Sequence, residues 1–242
     1  MKDNRMEDSM AFYELQWDTE YFGVSSAKAI LYKPLDLIEW ENLKKRFKDY
    51  EFISIENRNS EPINSQFIGK DTKAYLADVN IQFKKKLEDR YKMPENIEIY
   101  QALQPNAQII EIADFQFSKF IEDPELAKRG GDQVYRQWIN NSFKNPNKYF
   151  ALSRDNNREI NGFLLHSYQD NACTVELISV SKNEKHGGIG TSLFGAVEAE
   201  AYERGCIEIR VGTQVRNIEA INFYHKVGCR QTGCHQVYHL WK

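Results

Sequence analysis

One segment, residues 174–201, restricts the fold of this chain more than any other part of the sequence. It begins with an apolar, strand-like run at 174–180, passes through a glycine-containing loop at 181–190, and continues with apolar residues at helical spacing over 191–201. In such an arrangement the unpaired N–H groups of the first helical turn and the positive end of the helix dipole point into the loop. The segment therefore predicts an α/β fold in which the start of this helix can hold a pyrophosphate.

The glycine loop matches neither of two common nucleotide-binding motifs. Residues 185–190 read Lys-His-Gly-Gly-Ile-Gly, whereas dinucleotide-binding folds carry G-x-G-x-x-G and P-loop enzymes carry G-x-x-x-x-G-K-[ST]. Both of those protein classes are therefore disfavoured. Taken alone, the loop also fits a plain turn between a strand and a helix.

The charge balance and the hydropathy pattern exclude several classes of protein. With 32 Lys plus Arg against 35 Asp plus Glu, the formal net charge is −3. The chain thus has no cationic surplus for a phosphate backbone, and we expect no nucleic-acid partner. Residues 1–8 lack the apolar core of a signal peptide, and no later run approaches the roughly 18 apolar residues of a membrane helix. We therefore expect a cytoplasmic protein with no membrane partner.

Cysteine and histidine side chains are the candidate metal ligands of this chain. Four cysteines at irregular spacing predict reduced thiols, not a disulfide framework. Cys229, Cys234, His235 and His239 lie close enough in sequence to be considered for zinc. The segment 236–241 is typical of a strand, however, and in a strand His235 and His239 would stand about 13 Å apart. Two ligands at that distance cannot share one zinc ion, so we predict no metal site.

The first part of the chain predicts a small α/β domain. Residues 35–48 carry apolar residues at helical spacing, and residues 75–83 alternate in the pattern of a strand with one buried face. The charged stretch 84–94, closed by a proline, is typical of a surface connection. A length of 242 residues suits one large or two small domains. We therefore predict an N-terminal α/β domain at 1–94 that contributes to the acceptor site, and a second domain at 95–242.

The second part of the chain predicts further helices and strands around the glycine loop. Residues 135–143 show the pattern of a helix, and residues 149–166 that of a β-hairpin with a polar turn. Gly205 is placed to end the helix that follows the glycine loop, and the next residues alternate like a strand. Asn217 is a natural N-cap for one more helix, which Gly228 would terminate before a closing strand.

Two linked motifs resemble the GNAT superfamily of acetyl-CoA-dependent N-acetyltransferases. Residues 185–190 resemble the family's pyrophosphate loop, Gln/Arg-x-x-Gly-x-Gly/Ala, with Lys185 in place of the usual first residue. Residues 217–228 resemble the family's Asn-x-x-Ala-x-x-hydrophobic-Tyr-x-x-x-Gly, and the two motifs follow in the family's order. The resemblance implies a GNAT fold with a mixed, mostly antiparallel sheet flanked by helices, and acetyl-CoA as the cosubstrate.

Three further blocks of sequence resemble a subgroup of that superfamily, the TDP-fucosamine acetyltransferases. The blocks are residues 17–24, residues 120–124 together with 135–138, and residues 210–217. Enzymes of this subgroup acylate the 4-amino group of a nucleotide-linked 4-amino-4,6-dideoxyhexose. The resemblance therefore implies a small-molecule amine acceptor carried on a nucleotide-sugar.

The resemblance also implies a set of site residues. The residues expected to bind acetyl-CoA are Val180, Lys185, His186, Gly187, Gly188, Ile189, Gly190, Thr191, Asn217 and Tyr224. Tyr224 is expected to protonate the departing thiolate, and Glu176 to act as the base, directly or through water. A backbone N–H at Val180 or a neighbour is expected to stabilise the oxyanion. The structural alternatives are a packed helix tyrosine and a buried glutamate at a strand edge.

The acceptor is expected to contact Trp17, Tyr21, Phe22 and Gln214. The three aromatic side chains suit stacking on thymine or packing on a sugar face, and the alternative is that they belong to the core. Two other functions stay open at this stage. One is a GNAT enzyme that acetylates a protein N-terminus, a lysine or a small metabolite amine; the other is a non-catalytic acyl-CoA-binding module that regulates a partner. We also keep open a homodimer.

Overall fold

The computed structural model of the chain describes residues 9–88, 92–182 and 187–242. Its strands are β1 (Met10–Glu14), β2 (Ser26–Leu31), β3 (Phe52–Asn57), β4 (Tyr75–Lys86), β5 (Ile97–Gln101), β6 (Tyr149–Arg154), β7 (Ile160–Gln169), β8 (Ala172–Val180), β9 (Glu208–Gln214) and β10 (Arg230–Trp241). Its helices are α1 (Gln16–Phe22), α2 (Leu37–Phe47), α3 (Pro62–Asp71), α4 (Ala107–Ile112), α5 (Lys119–Glu122), α6 (Pro124–Lys128), α7 (Val134–Ser142), α8 (Ile189–Glu203) and α9 (Ile218–Lys226). Lys185 and His186, two of the predicted coenzyme-binding residues, lie outside the described residues.

The strands of the described residues form one open sheet in the order β1-β2-β3-β10-β4-β9-β8-β7-β6-β5. The β2–β3 and β8–β9 pairs are parallel, and the other neighbouring pairs within these ranges are antiparallel. Each parallel pair is joined by a helix, as the crossover between parallel strands requires. The sheet confirms the predicted α/β fold with a mixed, mostly antiparallel centre.

The two halves of the sheet have the same connectivity. The unit β2-α2-β3-α3-β4 is repeated as β8-α8-β9-α9-β10. In each unit the last strand leaves its own parallel pair and joins the other unit, so β4 lies beside β9 and β10 lies beside β3. β4 and β10 pair with each other at the centre. The N-terminal segment therefore supplies a strand next to β9, while the division into domains at residue 94 stays a prediction.

The core lies on both faces of the C-terminal half of the sheet. Alternate residues of one strand face opposite sides: Ala151 packs in the cluster that contains α8 and α9, whereas Phe150 and Leu152 pack in the cluster that contains residues of α4 and α7. Helix α8 contacts β5, β6, β7 and β8. This packing fixes the start of α8 above the ends of the central strands.

Local signals at the helix ends act as the sequence predicted. The Asn217 side chain accepts a hydrogen bond from the Ala220 N–H at 3.1 Å and caps α9. Gly205 follows α8 with a φ of +77°, and Gly228 follows α9 with a φ of +87°. Each helix is therefore followed by a residue in the left-handed backbone conformation, which glycine adopts without strain.

The predicted surface connection after residue 83 is wrong for its first three residues. Lys84, Lys85 and Lys86 continue β4 and pair with residues of β9. The Lys85 ammonium forms an ion pair with Glu198 of α8, and Lys84 pairs with Glu208 at 3.2 Å. Acidic side chains on α8 and β9 thus pair with lysines of β4 and allow these residues to continue the strand. The sequence pattern alone does not show these partners.

Candidate active site

The parallel strands β8 and β9 separate part-way along their length. They pair from Ala172 and Glu208 as far as Val175 and Val211, yet β8 continues to Val180 and β9 to Gln214. The peptide groups that face this gap have no partner on the neighbouring strand, and buried backbone groups require one. An extended ligand with its own amide groups can fill such a gap in the way an added strand does.

The start of α8 lies at the same end of the sheet as this gap. Gly188 precedes the helix with a φ of +83°, and no side chain among the described residues caps it. The N–H groups of Ile189, Gly190 and Thr191 belong to the first turn and therefore have no acceptor within the helix. Gly187 and Gly188 are exposed. A diphosphate can thus reach several backbone donors at the positive end of the helix dipole.

Two glycines let the start of α8 sit close to its neighbours. A Cβ atom on Gly162 would lie 2.8 Å from Cγ2 of Ile189, and one on Gly190 would lie 3.3 Å from Cε2 of Phe223. Gly162 is paired across the sheet with Val180, the last residue of β8. The start of α8 is therefore held directly above the open end of the gap.

The N-terminal unit of the sheet lacks both of these features. β2 and β3 stay paired along their whole lengths, from Ser26 and Phe52 to Leu31 and Asn57. The start of α2 is occupied by its own acid, because the Asp36 carboxylate accepts the N–H of the capping-box partner in the first turn at 2.8 Å. This unit therefore has the same topology as β8-α8-β9-α9-β10, but it has neither a gap between its parallel strands nor an uncapped helix start.

Tyr224 is buried within the packing of α9 against the sheet. Its side chain is 4 % exposed, and its ring lies 5.5 Å from that of Phe83 and 5.4 Å from that of Phe223. Burial, with Cys229 as a smaller cause, raises the pKa of the phenol, so the group stays protonated at neutral pH. Its role as general acid stays a prediction.

Glu176 lies on the part of β8 that has left β9, and a polar network holds its carboxylate. It accepts hydrogen bonds from Oγ of Ser167 at 2.5 Å and from Nε1 of Trp138 at 3.3 Å. It also forms an ion pair with Lys148. Both carboxylate oxygens are therefore in use, and the role of this residue as base stays a prediction.

The predicted aromatic residues lie beside a cavity of about 360 Å³. Trp17 and Trp138 line it, with Lys148 at the same wall, and each indole is more than a third exposed. Tyr21 stacks on Trp17 with ring centroids 4.6 Å apart, and Phe22 is 3 % exposed in the core behind them. Trp17 thus reaches the cavity, while Tyr21 and Phe22 support it from behind.

A second cavity, of about 420 Å³, lies where β4 begins and β9 ends. Gln214 lines it and donates a hydrogen bond from Nε2 to the Tyr135 hydroxyl at 3.3 Å. Asp78 lines the same cavity, and burial raises the pKa of its carboxyl to about 6. Asp78 lies within the predicted strand at 75–83, and the sequence analysis names no role for it. The alternation of 75–83 contained no signal for a cavity at that end of the strand.

A model of the GNAT acetyltransferase family matches residues 107–229, just over half of the chain. The chain belongs to this family. Among solved structures, a GCN5-related N-acetyltransferase from Sphaerobacter thermophilus has a TM-score of 0.61 at 13% identity, over 96% of this chain and 76% of that one. A tandem GNAT protein from the clavulanic acid biosynthesis pathway has a TM-score of 0.56 at 10% identity, over 88% of this chain and 75% of that one. These two likenesses support the fold.

Curated relatives match this GNAT family member over part of their length. The spore coat polysaccharide biosynthesis protein SpsD of Bacillus subtilis is 24% identical over 135 residues, which are 55% of this chain and 46% of SpsD. The chain spans about half the length of the curated relatives it matches, 46% and 49%.

Family membership places this chain among the acetyltransferases of the GNAT family, whose fold binds acetyl-CoA. The gap between β8 and β9 and the uncapped start of α8 fit that coenzyme, because they offer unpaired peptide groups for its amide-containing arm and free N–H groups for its diphosphate. The coenzyme roles of the individual residues named above stay predictions.

The described residues contain neither a membrane-crossing helix nor a clustered metal site. Within these ranges no helix is both long and apolar enough to span a bilayer, and no three His, Cys, Asp or Glu side chains are grouped to hold a metal ion. His239 instead bonds Asp123 at 2.6 Å, and Nδ1 of His235 accepts the Asn59 N–H at 3.2 Å. The two histidines of the terminal strand thus serve separate contacts.

Proposed function

We propose that this GNAT enzyme transfers the acetyl group of acetyl-CoA to the 4-amino group of a TDP-linked 4-amino-4,6-dideoxy sugar. One observation carries the proposal. The three blocks that resemble the amino-sugar acetyltransferases lie far apart in sequence, yet the first lines the smaller cavity, the third lines the larger one and the second lines both. Trp17 of the first block and Trp138 of the second line the smaller cavity, and Glu122 of the second block and Gln214 of the third line the larger one.

The size and chemistry of the two cavities suit a nucleotide-sugar. Each cavity has a volume within the roughly 300–1,000 Å³ range of small-molecule sites. The smaller one presents two half-exposed indoles and the Lys148 ammonium, which suit a nucleobase and a phosphate. The larger one presents carboxylates, among them Asp78, which suit an ammonium group. The name of SpsD, a polysaccharide biosynthesis protein, supports a sugar acceptor over a peptide.

Each chemical task of the transfer has a candidate in the chain. Bound acetyl-CoA supplies a thioester whose carbonyl carbon an amine can attack. In this proposal the N–H groups of residues 189–191 hold the diphosphate, which the absence of a side-chain cap among the described residues supports. A backbone N–H near Val180, on the part of β8 that no longer pairs with β9, stabilises the oxyanion. In this proposal Tyr224 protonates the sulfur, and a phenol that stays protonated at neutral pH supports that role. The proposal also includes a cytoplasmic location and a homodimer.

A thiol-release assay with a panel of acceptors tests the proposed function. The panel contains a TDP-linked 4-amino-4,6-dideoxyhexose, the TDP-linked 6-deoxyhexose with a hydroxyl at the same carbon, a lysine-containing peptide and a polyamine. We expect release with the amino sugar and none with its hydroxyl analogue, because the reaction needs an amine. Release with the peptide or the polyamine alone would assign the enzyme to a different acceptor class.

A matched variant links the panel to the cavities. Trp17→Ala removes an indole from the smaller cavity, whereas Trp40→Phe changes a tryptophan buried in the N-terminal core. Stacking on an aromatic ring contributes about 1–3 kcal/mol per base, so Trp17→Ala should raise the KM for the nucleotide-sugar at least fivefold. Trp40→Phe should leave that KM unchanged. An unchanged KM in Trp17→Ala would contradict the placement of the nucleobase.

A further inference from the structure

The larger cavity adjoins the gap that fits the coenzyme. Gln214 lines the cavity and is also the last residue of β9, the strand that borders the gap. The Val215 N–H donates to the Val79 carbonyl at 2.7 Å, which fixes the end of β9 against the start of β4. A group bound in this cavity therefore lies next to the end of the strand along which the acetyl-bearing arm would run.

Most of the charged groups that line this cavity already have partners. The Asp123 carboxylate accepts hydrogen bonds from the Tyr75 hydroxyl at 2.6 Å, from His239 at 2.6 Å and from Trp241 at 2.9 Å. At the rim, Glu122 and Arg216 form an ion pair at 2.8 Å. These contacts hold the cavity walls in place, and they leave those carboxylates engaged.

Asp78 is different, because among the described residues its carboxylate makes no ion pair and no hydrogen bond with another side chain. It is half-buried on the cavity wall. A carboxylate in this position loses solvation, and the charge of Lys119 and the backbone hydrogen bond at Val79 offset that loss in part. A bound cation would therefore stabilise it further. Glu176, the other candidate, is held by Lys148 and by two hydrogen bonds. The cavity therefore presents Asp78 as an acceptor for a positively charged donor.

We propose that Asp78 binds the ammonium group of the acceptor and accepts its proton, a role that rests on the proposed acetyl transfer to an amine. A primary aliphatic amine is protonated at neutral pH and must lose a proton before it can attack. A proton passes from the nitrogen to Oδ of Asp78, the nitrogen lone pair forms the bond to the acetyl carbon, and the carbon–sulfur bond breaks. The sulfur leaves as thiolate and takes the proton of Tyr224, while the amide nitrogen loses its surplus proton to solvent.

The surroundings of Asp78 suit this exchange near neutral pH. Burial raises the pKa of the carboxyl to about 6; Lys119, a backbone hydrogen bond at Val79 and Arg216 oppose this rise, and Glu122 adds to it. Tyr135 on α7 also interacts electrostatically with Asp78, and Tyr75 and Asp123 line the same cavity. A base of this strength is ionised at pH 7 and still basic enough to take a proton in the transition state.

The test compares Asp78→Asn with Asp170→Asn in the full chain. Asp170 is an exposed residue at the β7–β8 turn, at the opposite end of β8 from the gap. Asp78→Asn should lower kcat/KM for the amine at least 100-fold and leave the Kd for acetyl-CoA within twofold of the wild-type value. Below pH 6 the wild-type kcat/KM should fall, and this fall should be absent in Asp78→Asn. Asp170→Asn should behave like the wild type.

A binding measurement provides a readout that does not depend on turnover. Calorimetry with CoA present compares the amino sugar with its hydroxyl analogue, both TDP-linked. The wild type should prefer the amine at least tenfold, and Asp78→Asn should lose that preference. Asp78→Ser provides a smaller replacement if the asparagine variant does not fold, as judged by acetyl-CoA binding. Turnover within threefold of the wild type, or a retained preference for the amine, would overturn the role of Asp78.

The outcomes separate this inference from the proposed substrate. If the wild type acetylates a peptide or polyamine but not the amino sugar, the proposed substrate is wrong, and the Asp78 comparison is made with the amine that reacts. Loss of turnover in Asp78→Asn with that amine would still support the inference. An amino sugar that reacts equally well in both proteins would refute the inference and leave the substrate standing.

Discussion

Replacement of Tyr224 by phenylalanine separates catalysis from packing, because it removes one oxygen and leaves the ring. The ring contacts with Phe83 and Phe223, at centroid distances of 5.5 and 5.4 Å, remain possible in the variant. Within the described residues the hydroxyl makes no hydrogen bond, so its loss should change the free energy of unfolding by less than about 1 kcal/mol. If that hydroxyl protonates the departing thiolate, kcat should fall about 100-fold, which corresponds to about 2.7 kcal/mol in the barrier.

The assay measures thiol release at saturating acceptor, together with urea unfolding of the same preparations. Tyr50→Phe is the matched control, because Tyr50 packs at the edge of the N-terminal core beside Phe12, away from α9. We expect Tyr224→Phe to keep its stability and its KM for acetyl-CoA while kcat falls, and Tyr50→Phe to keep full activity. Full turnover in Tyr224→Phe would assign the residue to packing and refute the general-acid role.

Three further predictions follow from the fold and its buried polar groups. Because the N-terminal unit lacks a strand gap and an open helix start, calorimetry should find one acetyl-CoA per chain, and two per chain would contradict this reading. Asp123→Asn should lower the free energy of unfolding in urea by about 3–5 kcal/mol, since it disrupts a fully buried carboxylate with three side-chain donors; a loss below 1 kcal/mol would contradict the role of that network. Although burial acts in the opposite direction, hydrogen bonds from His166, Tyr168 and Arg204 lower the pKa of Glu200 from 4.5 to about 2. A carboxyl whose pKa is lowered in the folded protein stabilises the fold at pH values above the pKa that it has in the unfolded chain. The free energy of unfolding should therefore decrease by about 3 kcal/mol as the pH falls from about 4.5 to about 2. Urea titrations of Glu200→Gln across that range should lack this loss.

Local sequence signals predicted the secondary structure around the site. Asn217, Gly205 and Gly228 act through their own backbone conformations and side chains, so the sequence was sufficient to place them. The strand, glycine loop and helix around Gly188 also follow from neighbouring residues. The GNAT family, predicted from the motifs at 185–190 and 217–228, and the mixed sheet that this resemblance implied are both confirmed.

The long-range pairing of the sheet could not be predicted in the same way. Nothing in residues 75–86 indicates that this strand lies between β9 and β10, because pairing partners far apart in sequence leave no local pattern. The lysines at its end read as a surface connection, since their acidic partners Glu198 and Glu208 come more than 100 residues later. Asp78 gained a candidate role only when β4 was seen beside the end of β9.

For the aromatic residues of the first block, the sequence predicted the group but not which side chain lines a cavity. Trp17, Tyr21 and Phe22 were predicted together as acceptor-binding residues. In the structure they have different environments on helix α1. Trp17 reaches a cavity and Phe22 lies in the core. The cavity also needs Trp138, which comes from α7 more than 100 residues later. Which aromatic residue faces a ligand is therefore set by tertiary packing, not by the aromatic composition of the block.

Mass spectrometry of the reaction product tests the central claim most directly. The purified chain is incubated with acetyl-CoA, the TDP-linked 4-amino-4,6-dideoxyhexose and an equal concentration of a lysine-containing peptide. We predict that the nucleotide-sugar gains the mass of one acetyl group, with fragmentation placing it on the amino nitrogen, while the peptide stays unmodified. An acetylated peptide beside an unchanged nucleotide-sugar would contradict the account.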